Sequence, residues 1–362
     1  MPAVKPGIME IAPYVGGESK AAGARRIIKL SSNEGAFGPS PKAIDALQNM
    51  APDMHRYPDG GCEALRGELA KQHGIRKDGI VCGNGSDEII TFLVQCYAGA
   101  GDEVLYSEHG FLMYAITAKA FGAMPVAAPE TDKVADANHL LAAVTERTKI
   151  VFLANPNNPT GTHWTNDQVV AFRKALRADI LLVLDCAYAE YVMDAAYEDG
   201  GLELVDRFDN VVVTRTFSKA YGLGGLRLGW GYCPPAVADV LNRVRGPFNV
   251  SGAAQVAGLA ALQDRDFLRD VIEHNTRIRD KCRHALAEMG VPCLPSEGNF
   301  LLAGFKTAER AEACRLALKD DGILVRQVGS YGLPQYLRLS LGTDEEMALT
   351  LASIKAYIGS HG

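Results

Sequence analysis

The most constraining feature of this chain is a recurrence of short, nearly continuous apolar runs, GIVC (79–82), EVLY (103–106), KIVFL (149–153), ILLVL (180–184) and VVVT (211–214), separated by amphipathic stretches. Strands of this kind are buried on both faces, and helices between them make a mostly parallel sheet. One intervening helix carries its own start signal: Thr165 and Gln168 form a capping-box pattern ahead of Val169, Val170, Phe172, Ala175 and Leu176. Beyond about residue 250 the texture changes. A long helical segment, roughly 253–289, ends at Gly290 before Pro292, and shorter strand-like runs surround a helix near 307–319. The first 30 residues are interrupted by Pro2, Pro6, Gly7, Pro13, Gly16 and Gly17 and read as an extended arm. At 362 residues the chain exceeds what one core usually serves. The fold predicted is α/β: an arm (1–30), a large domain with a mostly parallel sheet flanked by helices (31–250), and a smaller α+β domain (251–362).

Composition narrows the function. With 48% hydrophobic and 22% charged residues the chain is neither disordered nor fibrous, and a net charge of −6 without basic runs offers no footprint for nucleic acid or an anionic membrane. The eight cysteines lack a CxxC pair, so a zinc site or disulfide scaffold is not expected; they read as reduced, mostly packed thiols. His55, His73, His109 and His163 lack metal-ligand spacing, and no metal is predicted. The segment MPAVKPGIMEIAPYVGG holds no stretch suited to a secretory leader, and no apolar run reaches membrane-spanning length, so a cytoplasmic location is expected.

In open α/β sheets ligands bind outside the carboxyl ends of the strands, and here those ends are polar. Run 79–82 leads to Gly83, Asn84, Gly85, Ser86, Asp87 and Glu88 and then a helical stretch, whose first amides make an anion site. Ser86 or Asp87 merely capping that helix is the alternative. Run 149–153 leads to Asn155, Pro156, Asn157, Asn158, Pro159, Thr160 and Gly161, where two prolines stiffen a loop that holds an Asn still or simply turns the chain. Run 180–184 delivers Asp185, with Tyr188 beyond it; a carboxylate there needs partners, or else caps a turn. Run 211–214 leads to Arg215, Thr216, Phe217, Ser218 and Lys219 before AYGLGGLRLGW. A lysine desolvated there among other cations loses its proton readily and becomes an amine nucleophile; otherwise it is a surface lysine. Thr216, Ser218 and Arg227 offer donors suited to phosphate. The glycines of GLGGLR do not open a helix after the first strand, so no dinucleotide fingerprint is present.

These segments, in this order, resemble those of the aspartate aminotransferase-like (fold type I) pyridoxal 5′-phosphate enzymes. The resemblance runs from LSSNEGAFGPSP (30–41) and RYPDG (56–60) through GNGSDE, NPNNPTG, DCAYAEY and TFSKAYGLGGLRLG to LVRQV (324–328) and YLRLSLGT (336–343). It implies a ping-pong transfer of an amino group from a small-molecule donor to a 2-oxo acid such as 2-oxoglutarate. Lys219 resembles the lysine that holds the cofactor covalently and shuttles the proton. Asp185 resembles the partner of the pyridine nitrogen, and Tyr188 and Asn158 resemble the residues that hydrogen-bond the phenolic oxygen. Gly85, Ser86, Asp87, Thr216, Ser218 and Arg227 would hold the phosphate, with Tyr57 reaching it from the other subunit of a homodimer. Phe111 falls where the family stacks an aromatic ring, most often a tyrosine. Arg338 resembles the arginine that clamps the substrate anion, and Asn33, Tyr14 and Arg326 its companions. That set tilts the expected donor toward histidinol phosphate, with aromatic amino acids as the alternative and decarboxylation of threonine phosphate a third. A cofactor-binding regulatory module fused to a DNA-binding segment, the reading from outside the enzymes, finds no helix-turn-helix segment here.

Overall fold

The computed structural model describes residues 2–14, 16–20 and 26–361; Met1, Val15, 21–25 and Gly362, parts of the predicted arm among them, lie outside the described residues. The strands in chain order are β1 (Ile28–Leu30), β2 (Ile80–Gly83), β3 (Glu103–Ser107), β4 (Met124–Ala128), β5 (Glu130–Thr131), β6 (Val134–Ala135), β7 (Thr148–Ala154), β8 (Leu181–Asp185), β9 (Val211–Thr216), β10 (Gly229–Tyr232), β11 (Phe300–Gly304), β12 (Ile323–Gln327) and β13 (Tyr336–Ser340). Seven form one sheet in the order β2-β10-β9-β8-β7-β3-β4, parallel throughout except that β10 runs antiparallel to both neighbours. All five apolar runs are strands of this sheet, and every residue of β2, β8 and β9 is buried. Helices cover both faces, giving the predicted mixed α/β architecture.

Each face has its own apolar layer. One layer collects Leu182, Leu184, Phe217, Trp230 and the helix Gly252–Gln263; the other collects Ile89, Ile90, Leu93, Val183 and Val212. The helix Asn166–Ala175 starts on the expected capping box, Thr165 accepting from the Gln168 amide while the Gln168 side chain accepts from the Thr165 amide. A second sheet, β1-β12-β13-β11, packs its own cluster of Ile28, Leu30, Ile278, Leu301, Val325 and Leu339.

Two details depart from the sequence reading. The helical segment 253–289 is two helices, Gly252–Gln263 and Arg265–Glu288, broken at Asp264. Asp264 leaves helical geometry (φ −96°, ψ 61°), and its carboxylate pairs with Lys42 at 3.3 Å. Within the stretch read as arm, Ile28–Leu30 is a strand paired in parallel with Ile323–Val325, so the amino-terminal segment is part of the carboxy-terminal sheet. Among the described residues no helix is long and apolar enough to cross a membrane.

Candidate active site

The carboxyl ends of β7, β8 and β9, the start of the helix Ser86–Tyr97 and the ends of β1, β12 and β13 surround one cavity of about 280 Å³. Tyr14, Asn33, Ser86, Asp87, Phe111, Asn158, Asp185, Tyr188, Thr216, Ser218, Lys219, Arg227, Arg326 and Arg338 all line it. Gly85 does not line it but packs against Arg227, which does. Tyr57 is elsewhere: it is 83% exposed, with its ring stacked on Phe248 at 4.8 Å.

Asp185 ends β8 and is buried, with both oxygens engaged. The Tyr114 hydroxyl donates to Oδ2 at 2.7 Å and the Thr214 hydroxyl to Oδ1 at 3.0 Å. Burial pushes the carboxyl up to about 6, against the pull of those two donors and of the Lys219 charge. Lys219 is not on an open surface loop; its Nζ donates to the Ser32 carbonyl at 3.2 Å and lies 5.8 Å from the Tyr188 ring centre. Burial, and then the neighbouring Arg338 charge, bring its ammonium down to about 8. Part of the population therefore carries a free amine near neutral pH.

The anion cradle is built from glycine and backbone. Gly85, at φ 85°, is the residue before the helix Ser86–Tyr97, and neither Ser86 nor Asp87 caps it. The first-turn amides are thus not consumed by a side-chain cap. A Cβ on Gly85 would lie 2.6 Å from Arg227 Nη2, and one on Gly229 would lie 2.3 Å from the Ser86 nitrogen, so only glycine lets these parts close. Arg227 donates to Asp87 Oδ2 at 3.2 Å and to Ser218 Oγ at 3.3 Å, and Thr216 donates to Ser218 at 3.0 Å. Two hydroxyls, a guanidinium and a bare helix start suit a phosphate.

The opposite wall carries Arg338, 6% exposed, which donates to Asn158 Oδ1 at 2.5 Å and to the Ser31 carbonyl at 3.0 Å, while its buried Nε has no partner among the described residues. A guanidinium lining the cavity suits a ligand anion. Asn33 donates to the Tyr188 hydroxyl oxygen at 2.9 Å and accepts from Ser340 at 2.9 Å. Tyr188 still has its own proton to give. The Arg326 guanidinium sits 6.0 Å over the Tyr14 ring.

Tyr114 and Thr214 were missed by the sequence reading. Tyr114 looks like one more apolar helix position, yet it follows Phe111 by three residues, the spacing that puts two side chains on one helix face. The histidines set aside as ligands have ordinary partners: His109 pairs with Glu130 at 2.8 Å and His163 with Asp194 at 2.9 Å. All eight cysteines are unbridged.

Comparison with known proteins gives the family. A histidinol-phosphate aminotransferase from Paramagnetospirillum magneticum is 56% identical, covering 99% of both chains, and one from Rhodospirillum centenum is 53% identical over 96% of each. The crystal structure of histidinol-phosphate aminotransferase from Sinorhizobium meliloti in complex with pyridoxal 5′-phosphate matches with a TM-score of 0.91 at 33% identity, covering 99% of this chain and 98% of that one. The family model for aminotransferase class I and II matches residues 25–354. With that span and relatives sharing more than half of its residues, the chain belongs to the class I and II aminotransferases.

Proposed function

We propose that this enzyme binds pyridoxal 5′-phosphate and moves the amino group of histidinol phosphate to 2-oxoglutarate, in the making of histidine. The observation that carries the reading is one cavity holding an amine of lowered basicity at Lys219, a buried two-donor carboxylate at Asp185, and Arg338 with a donor unmet. The names of the full-length relatives support it. Gly85, Ser86, Asp87, Thr216, Ser218 and Arg227 would hold the cofactor phosphate, and Phe111 would cover one ring face. Bound there, the ring supplies an electron sink for charge developing on the substrate carbon. Asp185 keeps a proton on the ring nitrogen by its charge. Tyr188 and Asn158 donate toward the phenolic oxygen. The Lys219 amine would take up and hold the proton leaving the substrate Cα. Arg338, Arg326, Tyr14 and Asn33 orient the donor, whose phosphate suits planar guanidinium forks.

The chain would act as a homodimer in the cytoplasm, with Tyr57 of each subunit reaching the neighbour's phosphate. Its exposure, together with that of Met54 (70%) and Phe248 (43%), supports an apolar docking face. The separate apolar clusters under the two sheets support a working division into a large (31–250) and a small domain (251–362) beside an arm (1–30), with Ile28 and Leu30 of the arm packed in the smaller sheet's cluster and the helix Gly252–Gln263 packed in the larger's.

The test is a single-turnover half-reaction of the cofactor-loaded enzyme with histidinol phosphate and, separately, with phenylalanine or tyrosine. A preference for histidinol phosphate by about 100-fold or more, the scale of one charged contact to the substrate, is expected. Aromatic acids matching it would move the enzyme to aromatic amino-acid metabolism.

A further inference from the structure

Asp185 reaches the cavity from the end of a parallel strand, and a carboxylate on a single rotatable bond needs something to fix its plane. The structure supplies two clamps from opposite sides in sequence. Thr214, one strand over on β9 and paired in register with Asp185, donates to Oδ1 at 3.0 Å. Tyr114, from the helix Met113–Phe121, donates to Oδ2 at 2.7 Å. The Tyr114 ring is fully buried, lies face to face with Phe152 at 4.5 Å and 3°, and meets Phe111 edge-on at 5.8 Å. Its hydroxyl therefore cannot swing away, and the same ring props the aromatic side chain that lines the cavity. Each carboxylate oxygen keeps a second lone-pair direction for a further donor.

We propose that Tyr114 is a positioning residue of the transfer reaction: its hydroxyl, held by the Phe152 stack, orients the Asp185 carboxylate toward where the ring nitrogen of the cofactor would lie. This rests on the reading of Asp185 given above. A donor at 2.7 Å is charge-assisted only while Asp185 is ionised, so the bond favours the charged form that the reaction uses. Facing Asp185 are also the Asp87 carboxylate from the helix Ser86–Tyr97, which opposes ionisation, and Lys219 beyond β9, which favours it. Tyr188 and Cys186, whose groups burial pushes up, stay neutral. Thr214 alone would leave one oxygen unheld.

Three variants of the cofactor-loaded enzyme separate the possibilities. Tyr114→Phe keeps the ring and both aromatic contacts and removes only the donor. It is expected to slow the half-reaction by about 10-fold to 100-fold, the scale of a lost bond to a charged group, with donor affinity changed less than about twofold. The acidic limb of its rate profile should move to higher pH by about one pH unit, because Asp185 then protonates more easily. Independently of turnover, the acid-side change in the visible spectrum of the bound cofactor should move the same way. Phe152→Leu, which loosens the stack but keeps the hydroxyl, should lower melting temperature and move the acidic limb in the same direction by less than Tyr114→Phe does. A Tyr114→Phe enzyme with wild-type rate and unmoved limbs overturns the inference while leaving Asp185 intact. An Asp185→Ala enzyme that keeps its rate overturns the Asp185 reading and this inference with it.

Discussion

The two walls of the cavity are made differently. The wall bearing Asp185, Tyr188, Thr216 and Lys219 comes from the ends of neighbouring strands in one sheet; Asp185 and Thr216 bond to residues of that side, while Tyr188 and Lys219 reach across to Asn33 and the Ser32 carbonyl. The facing wall is assembled from distant pieces. Tyr14 comes from the amino-terminal segment and is 55% exposed, Arg326 and Arg338 face each other across paired strands of the other sheet, and Asn33 joins β1 to Ser340. One wall has little freedom, while the other leaves a buried arginine nitrogen unmet. On the function proposed above, the difference teaches that the chemistry would be set by a sheet end, which tolerates little change, and the choice of donor by a composite surface.

Three substitutions sharpen that contrast. The largest effect is expected on the rigid wall: Lys219→Ala should abolish covalent cofactor retention and lower turnover by about 10⁴-fold, seen as a colourless protein with residual rate in steady-state assay. On the composite wall, Arg326→Gln should lower kcat/KM for histidinol phosphate by about 10-fold to 100-fold while the spectrum of the bound cofactor stays unchanged. A spectral change in that variant would mean the two walls are not separable. The smallest effect concerns stability. In the cofactor-free protein Asp185 holds its proton up to about 6, above its ordinary value, so its contribution to stability is present below about pH 4 and lost as pH rises through 6. Asp185→Asn should then be more stable than the parent at pH 8, by about 2 kcal/mol in denaturant melts, and no more stable at pH 3.5. Equal stability at both pH values would show that burial of this carboxylate carries no cost.

The legibility of the two walls in sequence follows the same division. Central parallel strands announce themselves because both faces are buried, so ILLVL and VVVT could be read as strands and Asp185 and Lys219 placed at their ends. β10 was hidden: GWGY carries two glycines inside a glycine-rich run, and its antiparallel direction has no mark in periodicity. β4, MPVAA, contains a proline and small residues suited to an edge. The break at Asp264 was invisible because an Asp is tolerated within a helical pattern, and its partner Lys42 lies far away in sequence. Tyr114 could not be paired with Asp185 from sequence, since the contact depends on how a helix lies on the sheet. The cavity-lining residues came from the family resemblance far more than from spacing, Arg326 and Arg338 above all.

β1 has a consequence for the order in which the molecule can be made. Ile28–Leu30 emerges early in synthesis, yet its partner begins at Ile323, and Ser31, Ser32 and Asn33 follow directly from it. Their carbonyls and amide meet Arg338, Lys219 and Ser340. The seven-stranded sheet is complete by Tyr232 and can settle while the ribosome is still working, but the first strand must wait for nearly the last ones. The cavity is therefore completed late, closed only when β1 meets β12 and Asn33 meets Ser340.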